Sequence, residues 1–597
     1  MNAVSIVIGS ICILMIAYRL YGTFIARKVL KLDDTKPTPA HALEDGKDYV
    51  PTNKWVAFGH HFAAIAAAGP LVGPILAAQF GYLPSLLWLL IGAVIGGAVH
   101  DAVVLFASMR KDGKSLSEVA KEELGPVAGF CTGLAMLFII TITMAGLSMV
   151  VLHALENNPW GTFAVGITIP IAMGVGLYHK KTGNLKGATI VGFALIMAGI
   201  LLGPNIQGTA LGELLTLDAS TLALILPIYA FFAAALPVWL LLAPRDYLST
   251  FMKIGVFAAL IIGVFVVNPE IQFPAFTEFV NGGGPIVAGP VWPFISITIA
   301  CGAISGFHAF VGSGTTPKML NRWSDIKSVG FGAMLVECVV AIMALIAAVS
   351  LQPGDYFAIN SSPEVFQTLG MEKVHLDALS DEIGINLEGR TGGAVTLAVG
   401  MTYIFTEIPF FEKLASFFFQ FVIMFEAVFI LTAIDSGTRV ARYLIQDFFG
   451  EFYKPLKKVD WLPGNIFASA LACFIWGYLL YSGDIGSIWA LFGVSNQLMA
   501  SIGLIIGATV VLKIADKRWY MWTCLVPLAY LYVTVNVAGY WMVKNVYLNP
   551  DAAGFSILNG VLSIIMLCLG LIILITALKK WRELWKIPQA ELLKQSA

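Results

Sequence analysis

The sequence contains little charge. Charged residues occupy 12% of its 597 positions, whereas soluble domains carry about a quarter, and 58% of the residues are hydrophobic. Water therefore cannot be the solvent for most of this chain, and the composition predicts many apolar segments of roughly 20 residues that cross a lipid bilayer. The formal net charge of -1 leaves no basic face of the kind that nucleic-acid binding requires.

Catalytic and nucleotide-binding motifs are also missing. The chain has no HExxH, no GxSxG and no GxxxxGK[ST], although glycines are frequent between Gly312 and Lys318. Its seven cysteines lie in apolar segments and never form a CxxC pair, so we interpret them as small core residues rather than disulfide or metal sites. The sequence thus predicts a membrane protein that is not an enzyme.

Apolar runs separated by polar breaks predict fifteen membrane-spanning helices. Each run is long enough, or nearly long enough, to cross the hydrocarbon layer. The predicted spans are 3–26, 55–79, 84–107, 126–152, 160–178, 187–203, 219–242, 249–268, 288–308, 327–351, 413–435, 462–482, 486–512, 518–542 and 556–578.

Lysine and arginine residues test this count, because they concentrate in cytoplasmic loops. Most of them fall in every second predicted loop, and intervening loops such as 204–218 and 268–285 contain none. We therefore predict an outer N-terminus, a retained first span and a cytoplasmic C-terminus. Among the predicted cytoplasmic loops are those that carry Arg245, Arg439 and Arg442.

One apolar segment, 393–411, does not fit this alternation. Counting it as a span would place the loop with Arg439 on the outer side. We therefore predict a re-entrant or interfacial segment, which its Glu407 and Pro409 also favour, within a long outer loop at 352–412.

Two spans are interrupted by glycine and proline, and they lie five spans apart. Residues 69–74 read Gly-Pro-Leu-Val-Gly-Pro, and span 7 is interrupted around Pro237. Paired interruptions in two inverted halves indicate a transporter binding site, where a half-helix N-terminus could face a carboxylate. The alternative is a simple kink. The predicted substrate-binding residues are Gly69, Pro70, Leu71, Gly73, Pro74 and Pro237.

Hydroxyl groups concentrate at the end of span 9. Their oxygens could bind a coupling ion or line a polar path, although small residues also serve close helix packing. The residues concerned are Ser305, Ser313, Thr315 and Thr316.

Histidines and acids at membrane depth are the remaining signal, because such groups are costly there unless they are paired or functional. Glu337 and Glu426 lie inside apolar runs and could carry a coupling proton or act as structural glue. The polar pair Asn496 and Gln497 also lies inside an apolar run. A bound transition metal or a proton relay is predicted at His60, His61, Asp101 and His308, provided that they converge. His100 precedes Asp101, and Asp435 reads as a helix-end or packing residue.

Several longer strings resemble the carbon starvation protein A (CstA) family over about residues 1–580. They are Tyr49-Val-Pro-Thr-Asn-Lys-Trp55, Phe58-Gly-His-His-Phe62, Ala68-Gly-Pro-Leu-Val-Gly-Pro74, Ala77-Ala-Gln79, Arg110-Lys-Asp-Gly-Lys-Ser115, Ala243-Pro-Arg-Asp-Tyr-Leu-Ser249, Ser313-Gly-Thr-Thr-Pro-Lys318 and Ala433-Ile-Asp-Ser-Gly-Thr-Arg439.

The resemblance implies a symporter of the bacterial inner membrane that imports short peptides or pyruvate during carbon starvation. A coupling proton is favoured over sodium, and a metal-containing intramembrane enzyme or a nutrient sensor are the remaining alternatives. The resemblance also implies the LeuT fold, with inverted repeats of five spans at 55–203 and 219–435. A first span and loop at 1–54 precede them, and additional spans and a tail at 462–597 follow. Where this chain has His100 the family more often has Gln, so a role specific to His100 is not expected.

Overall fold

The computed structural model describes the whole chain except residues 1, 47, 183, 236–241, 451–452, 458–460, 484, 553 and 597. Helices are the only regular secondary structure of the described part, which contains no β-strand, only two isolated bridges, Asn2 with Glu270 and Thr52 with Leu320. The all-α class predicted from composition is therefore confirmed.

The α-helices are numbered here in chain order. The first thirteen are α1 Ala3–Phe24, α2 Pro39–Ala42, α3 Lys54–Ile65, α4 Gly69–Ala77, α5 Tyr82–Ile91, α6 Ala98–Met109, α7 Leu116–Leu124, α8 Pro126–Leu155, α9 Pro159–Thr182, α10 Leu185–Leu202, α11 Ala210–Leu215, α12 Ala219–Ala235 and α13 Leu242–Val267. The others are α14 Val291–Thr298, α15 His308–Gly312, α16 Ala333–Val349, α17 Pro353–Asn360, α18 Pro363–Leu369, α19 Leu376–Ile383, α20 Ala394–Thr406, α21 Ala415–Gly450, α22 Leu462–Ser482, α23 Ile485–Ile514, α24 Trp522–Met542, α25 Ile557–Lys586 and α26 Gln589–Ser596.

Many of these helices can cross a membrane, which confirms a multi-pass membrane protein. In the described part, eleven helical stretches are long and apolar enough to span a bilayer, and the bent pair α3 and α4 makes a twelfth. Among the described residues, predicted spans 7, 8 and 9 do not show such a stretch. Span 7 runs into residues outside the described part, α13 in span 8 has 26 residues of which the apolar stretch Met252–Val267 is fully described, and span 9 is divided.

The interruption of span 2 is real, but its predicted position at 69–74 is wrong. Helix α3 ends at Ile65 and α4 begins at Gly69, with a bend of 46° between them. Pro70 stands in the first turn of α4, where a missing backbone N–H costs little, so the Gly-Pro string begins a helix instead of breaking one.

Span 9 was predicted to be continuous and is not. Helix α14 ends at Thr298 and α15 begins at His308, which leaves nine residues, 299–307, without regular helix. This stretch, Ile-Ala-Cys-Gly-Ala-Ile-Ser-Gly-Phe, is apolar enough to resemble a span, but Gly302 adopts a φ of +81° that a right-handed helix does not allow. We call residues 299–307 the unwound segment.

The prediction that Arg245, Arg439 and Arg442 lie in loops is also wrong, while the side of the membrane on which they lie stays a prediction. Helix α21 continues to Gly450, so Arg439 and Arg442 lie within it, and Arg245 lies in the first turns of α13. Arg245 and Arg442 are buried. Asp435 is also buried, and it lies in the middle of α21 and not at a helix end. The positive charges misled the loop assignment because they bind protein groups instead of water.

The segment 393–411 contains α20, a helix of 13 residues that is too short to cross a bilayer alone. It packs on α4, α16 and α21 within the protein. Its predicted re-entrant character remains a prediction.

A charged cluster outside the spans ties α7 to the end of α23. Glu123 lies 2.5 Å from Lys513 and 3.2 Å from Lys111. Burial raises the pKa of Glu123, but the two lysines outweigh burial and hold this pKa below its ordinary value. The carboxylate therefore stays ionised in its pairs.

Candidate functional site

The unwound segment is held in place by the polar pair on α23. Asn496 Oδ1 accepts a hydrogen bond of 2.8 Å from the Phe307 backbone N–H. Unpaired backbone groups are tolerated at membrane depth only when protein groups bind them. The carbonyls bound by Gln497 Nε2 are those of Ser296, Ala300 and Ile304, at 3.0, 3.5 and 3.0 Å.

A line of four ionisable side chains runs beside this segment. His100 Nδ1 lies 2.8 Å from Asp101 Oδ1, and Asp101 Oδ2 lies 2.7 Å from His308 Nδ1. His308 Nε2 in turn lies 3.1 Å from Glu337 Oε2, while Glu337 Oε1 accepts a hydrogen bond from the Gly302 N–H. We call His100, Asp101, His308 and Glu337 the acid-histidine cluster.

All four members are buried, with at most 2% of any one of them exposed. They come from α6, α15 and α16, so only the folded chain assembles them. An imidazole between two carboxyl groups can accept a proton from one side and release it to the other. The cluster is therefore chemically able to bind and pass a proton inside the membrane domain.

Cys301 adds a thiol to the same place. Its sulfur, a His308 ring nitrogen and a Glu337 carboxyl oxygen all lie within 4.8 Å of one another. His308 Nε2 and Glu337 Oε2 make no well-directed hydrogen bond to any described residue. This set could hold a transition metal, and Asp101 on the other ring nitrogen of His308 would then fix the tautomer of that ligand. Sequence reasoning missed Cys301 because no spacing links it to His308 and Glu337.

The predicted metal residues do not all converge. Asp101 and His308 meet, whereas His60 and His61 bind hydroxyl groups instead. His60 Nε2 lies 3.0 Å from Thr315 Oγ1, and His61 Nδ1 lies 2.9 Å from Thr316 Oγ1.

The other predicted hydroxyls also have protein partners. Ser305 is hydrogen-bonded to Asn496 and accepts a hydrogen bond from the Cys301 thiol. Ser313 Oγ donates to the Ala309 carbonyl within its own turn, at 2.6 Å. The four predicted hydroxyl groups therefore bind different partners and do not converge on one point.

The predicted substrate residues at the start of α4 are buried against the unwound segment. A Cβ on Gly69 would lie 2.5 Å from the Cys301 side chain, and one on Gly73 would lie 2.6 Å from the Thr298 carbonyl oxygen. Glycine is needed at both positions because the two backbones approach so closely. Pro70, Leu71 and Pro74 are likewise buried, and Pro237 lies outside the described residues.

Basic side chains bind carbonyls near the end of α3 and in the last described turn of α12. Lys253 Nζ donates to the Ala63 carbonyl, 3.1 Å away, near the end of α3. Cations are favourable at helix C-termini because the last carbonyls lack partners and carry partial negative charge. At the end of α12 the carbonyls of Ala233 and Ala234 accept from Arg439 Nη2 and Arg442 Nη1, at 3.2 and 3.1 Å.

Arg245 also contacts α12 and the neighbouring α21. Its Nη1 donates to the Tyr229 hydroxyl and lies 3.3 Å from Asp435 Oδ2. The Tyr229 hydroxyl donates to the same carboxylate oxygen at 2.7 Å. We call Arg245, Asp435, Arg439 and Arg442 the arginine cluster.

Glu426 is a further buried acid, and it lies on α21. It is fully buried, and neither of its carboxyl oxygens has a hydrogen-bond partner among the described residues. A carboxyl group in that position is favoured in its neutral form because nothing stabilises its charge.

Two cavities could provide paths for a substrate. One of about 900 Å³ opens between α1, α3 and α16; its lining is mainly apolar but includes Arg19, Lys54 and Lys327, and it contains no member of either cluster. A second, of about 410 Å³, lies at the end of α4 and is lined by Thr298, Asn360 and Trp489 among others. The second cavity touches the last residue of α14, where span 9 begins to unwind.

Comparison with known proteins identifies a matching family and similar relatives. The family model for carbon starvation protein CstA matches residues 2–538. The chain is 83% identical over 588 residues to the Bacillus subtilis (strain 168) protein named peptide transporter CstA, covering 98% of each chain. It is 43% identical over 600 residues to the Escherichia coli (strain K12) pyruvate/proton symporter BtsT, covering 93% of this chain and 83% of that one.

Among solved structures, the chain is similar to a mutant of the manganese transporter of Eremococcus coleocola. That similarity has a TM-score of 0.45 and 11% identity, and it covers 90% of this chain and 98% of the other. The family and the relatives are thus named as transporters and not as enzymes.

Proposed function

The chain belongs to the carbon starvation protein CstA family, and on that premise we propose that it is a proton-coupled symporter importing a small carboxylate or short peptides. Pyruvate is the carboxylate in the name of one relative, and peptides are the substrates in the names of others. We place it in the bacterial inner membrane, where uptake would serve the cell during carbon starvation.

The observation that carries this proposal is the position of His308. Its ring bridges Asp101 and Glu337, at 2.7 and 3.1 Å, beside the unwound segment. A proton bound at His308 would change the charge among helices that meet beside two interruptions, the bend between α3 and α4 and the unwound segment. Such interruptions are where transporters change conformation and bind their coupling ions.

Alternating access is the mechanism that we propose. Spans 2 to 6 and 7 to 11 would form the two inverted repeats of a LeuT-like core, with fifteen spans in all and an outer N-terminus. The bend between α3 and α4 and the end of α12 lie five spans apart, and each is held by a basic side chain. The substrate would lie between these ends and reach them through the cavity at the end of α4.

We favour a proton over sodium as the coupling ion. A sodium site needs several oxygens that converge on one point, as in other oxygen-ligated cation sites. Ser305, Ser313, Thr315 and Thr316 each have another partner and do not form one such group in this conformation. Sodium coupling remains the alternative, and it predicts that these hydroxyls rearrange.

Reconstituted protein tests the proposal directly. We expect proteoliposomes to accumulate labelled pyruvate or a labelled dipeptide when the outside is acidic, with sodium absent. A sodium gradient at equal pH should drive no accumulation. Accumulation under the sodium gradient alone would establish the alternative, and equilibration without accumulation under either gradient would show a channel or a sensor instead.

A transition metal is a second candidate occupant of the acid-histidine cluster, favoured by the convergence of Cys301, His308 and Glu337. A tetrahedral site needs four donor atoms about 3.3–3.6 Å apart, so small shifts of these three side chains and a fourth ligand such as water would complete it. Elemental analysis of purified protein decides between metal and proton. Metal bound stoichiometrically, and lost from Cys301→Ser but not from Cys338→Ser, would establish the site; metal-free protein would reject it.

A further inference from the structure

We propose that the side-on edge of the Arg245 guanidinium binds the carboxylate of the transported substrate. The inference rests on the proposed function and names the residue that would recognise the anion. It differs from the sequence-based expectation, which placed the carboxylate at the start of α4.

The first observation is an unpartnered pair of donors. Arg245 is 1% exposed, and its Nη1 is engaged by Tyr229 and Asp435. Its Nε and Nη2 have no hydrogen-bond partner among the described residues. These two nitrogens form one edge of the planar guanidinium, and their parallel N–H groups match the two oxygens of a carboxylate.

The contact with Asp435 does not explain this arrangement. A structural arginine–carboxylate pair commonly uses two parallel hydrogen bonds. Here Asp435 offers one oxygen to one nitrogen, and its Oδ1 has no partner in the described part of the chain. Arg518, by contrast, is an arginine with all three nitrogens partnered, because its Nε, Nη1 and Nη2 donate to the Gln589 side chain and to the carbonyls of Trp585 and Ile587.

The charge balance also favours an anion. Arg245 and Arg442 are both buried near the end of α12, and Asp435 is the carboxylate that contacts Arg245. Arg442 donates to the Ala234 carbonyl, which carries only a partial negative charge. Positive charge away from water is unfavourable unless it is balanced, and a bound carboxylate would neutralise part of it while pairing the two unpartnered donors of Arg245.

The position suits a transport site. Arg245 and Lys253 lie on the same helix, eight residues and therefore about 12 Å apart. Lys253 binds Ala63 near the end of α3 and Arg245 binds Tyr229 on α12, so α13 contacts the interrupted span 2 and α12. An anion on Arg245 would change the contacts between α12, α13 and α21. The first turn of α4, by contrast, offers few hydrogen-bond donors to an anion. Leu71 and Val72 already donate to the Ala68 carbonyl, and Pro70 has no N–H.

Binding to purified protein in nanodiscs tests the inference, with pyruvate as the probe and methyl pyruvate as the matched ester without a charge. We expect the wild type to bind pyruvate and not the ester. Arg245→Lys keeps the charge but loses the planar fork, so pyruvate affinity should fall about tenfold or more. The control Arg518→Lys should bind pyruvate as the wild type does.

A second variant guards against misfolding. Arg245→Gln alone would leave Asp435 buried without its partner, so the double variant Arg245→Gln/Asp435→Asn removes both charges. It should fold, as judged by its melting temperature and elution profile, and lose pyruvate binding by about a hundredfold or more.

The outcomes separate the two proposals. Wild-type affinity for pyruvate in both Arg245 variants would overturn the inference while the transport function stands. Absence of binding and of uptake in the wild type, for pyruvate and for a dipeptide, would overturn the proposed function first. Equal binding of pyruvate and its ester would show that no carboxylate is recognised, and this result also overturns the inference.

Discussion

Replacement of His308 by alanine is expected to destabilise the protein by about 3–5 kcal/mol, because removing one partner of a buried pair leaves the other unpaired. His308 separates the carboxyl groups of Asp101 and Glu337 at 2.7 and 3.1 Å, and both acids are buried. The variant should show a strongly lowered melting temperature in detergent. Any protein that remains folded should fail to accumulate substrate.

Two further variants identify the cause of that loss. His153→Ala removes a partly exposed histidine that lies 3.5 Å from Glu156, and it should change stability by no more than about 1 kcal/mol. The triple variant His308→Ala/Asp101→Asn/Glu337→Gln removes both acids and should recover much of the melting temperature. A triple variant as unstable as His308→Ala would show that the imidazole stabilises the fold by packing and not by pairing.

Replacement of Glu426 by glutamine should abolish accumulation driven by a pH gradient while exchange of labelled for unlabelled substrate continues. The amide has nearly the same shape but cannot bind or release a proton, so the transporter would still change conformation without coupling. Folding should be preserved, since neither oxygen of Glu426 has a described hydrogen-bond partner to lose. Parallel uptake and counterflow assays in proteoliposomes measure both properties.

Glu123→Gln is the matched control for this prediction. Glu123 is also a buried acid, but it is paired with Lys513 and Lys111 outside the membrane spans. Its substitution should leave the ratio of accumulation to exchange unchanged. Full accumulation by Glu426→Gln would remove Glu426 from the proton pathway and leave the acid-histidine cluster as the site of coupling.

The long apolar runs made most of the membrane-spanning helices predictable. Each predicted span contains helix, because a segment of about 20 apolar residues has no better structure than a helix in a bilayer. Span 9 shows the limit of this reasoning. Its residues 299–307 are apolar yet unwound, and the polar groups that stabilise the unwound backbone stand on α23, almost 200 positions away.

The pattern of positive charges predicts loops incorrectly where arginines bind groups within the protein. Arg245, Arg439 and Arg442 were counted as cytoplasmic loop residues, since the sequence does not show which cation faces water. Their partners include a carboxylate and two carbonyls contributed by distant helices. The same limit applies to Asp435, whose neighbours on the chain indicate a helix end.

The sequence by itself determined the membrane-embedded helical class, the family and the types of residue able to bind a proton at membrane depth. These properties depend on local composition, span length and recognisable strings. Only the tertiary structure decided which of those residues meet. Helix packing brings His308 to Asp101 and Glu337, with Cys301 beside them. At another site it leaves two donors of Arg245 without a described partner. Convergence in space depends on helix packing, which no spacing along this chain encodes.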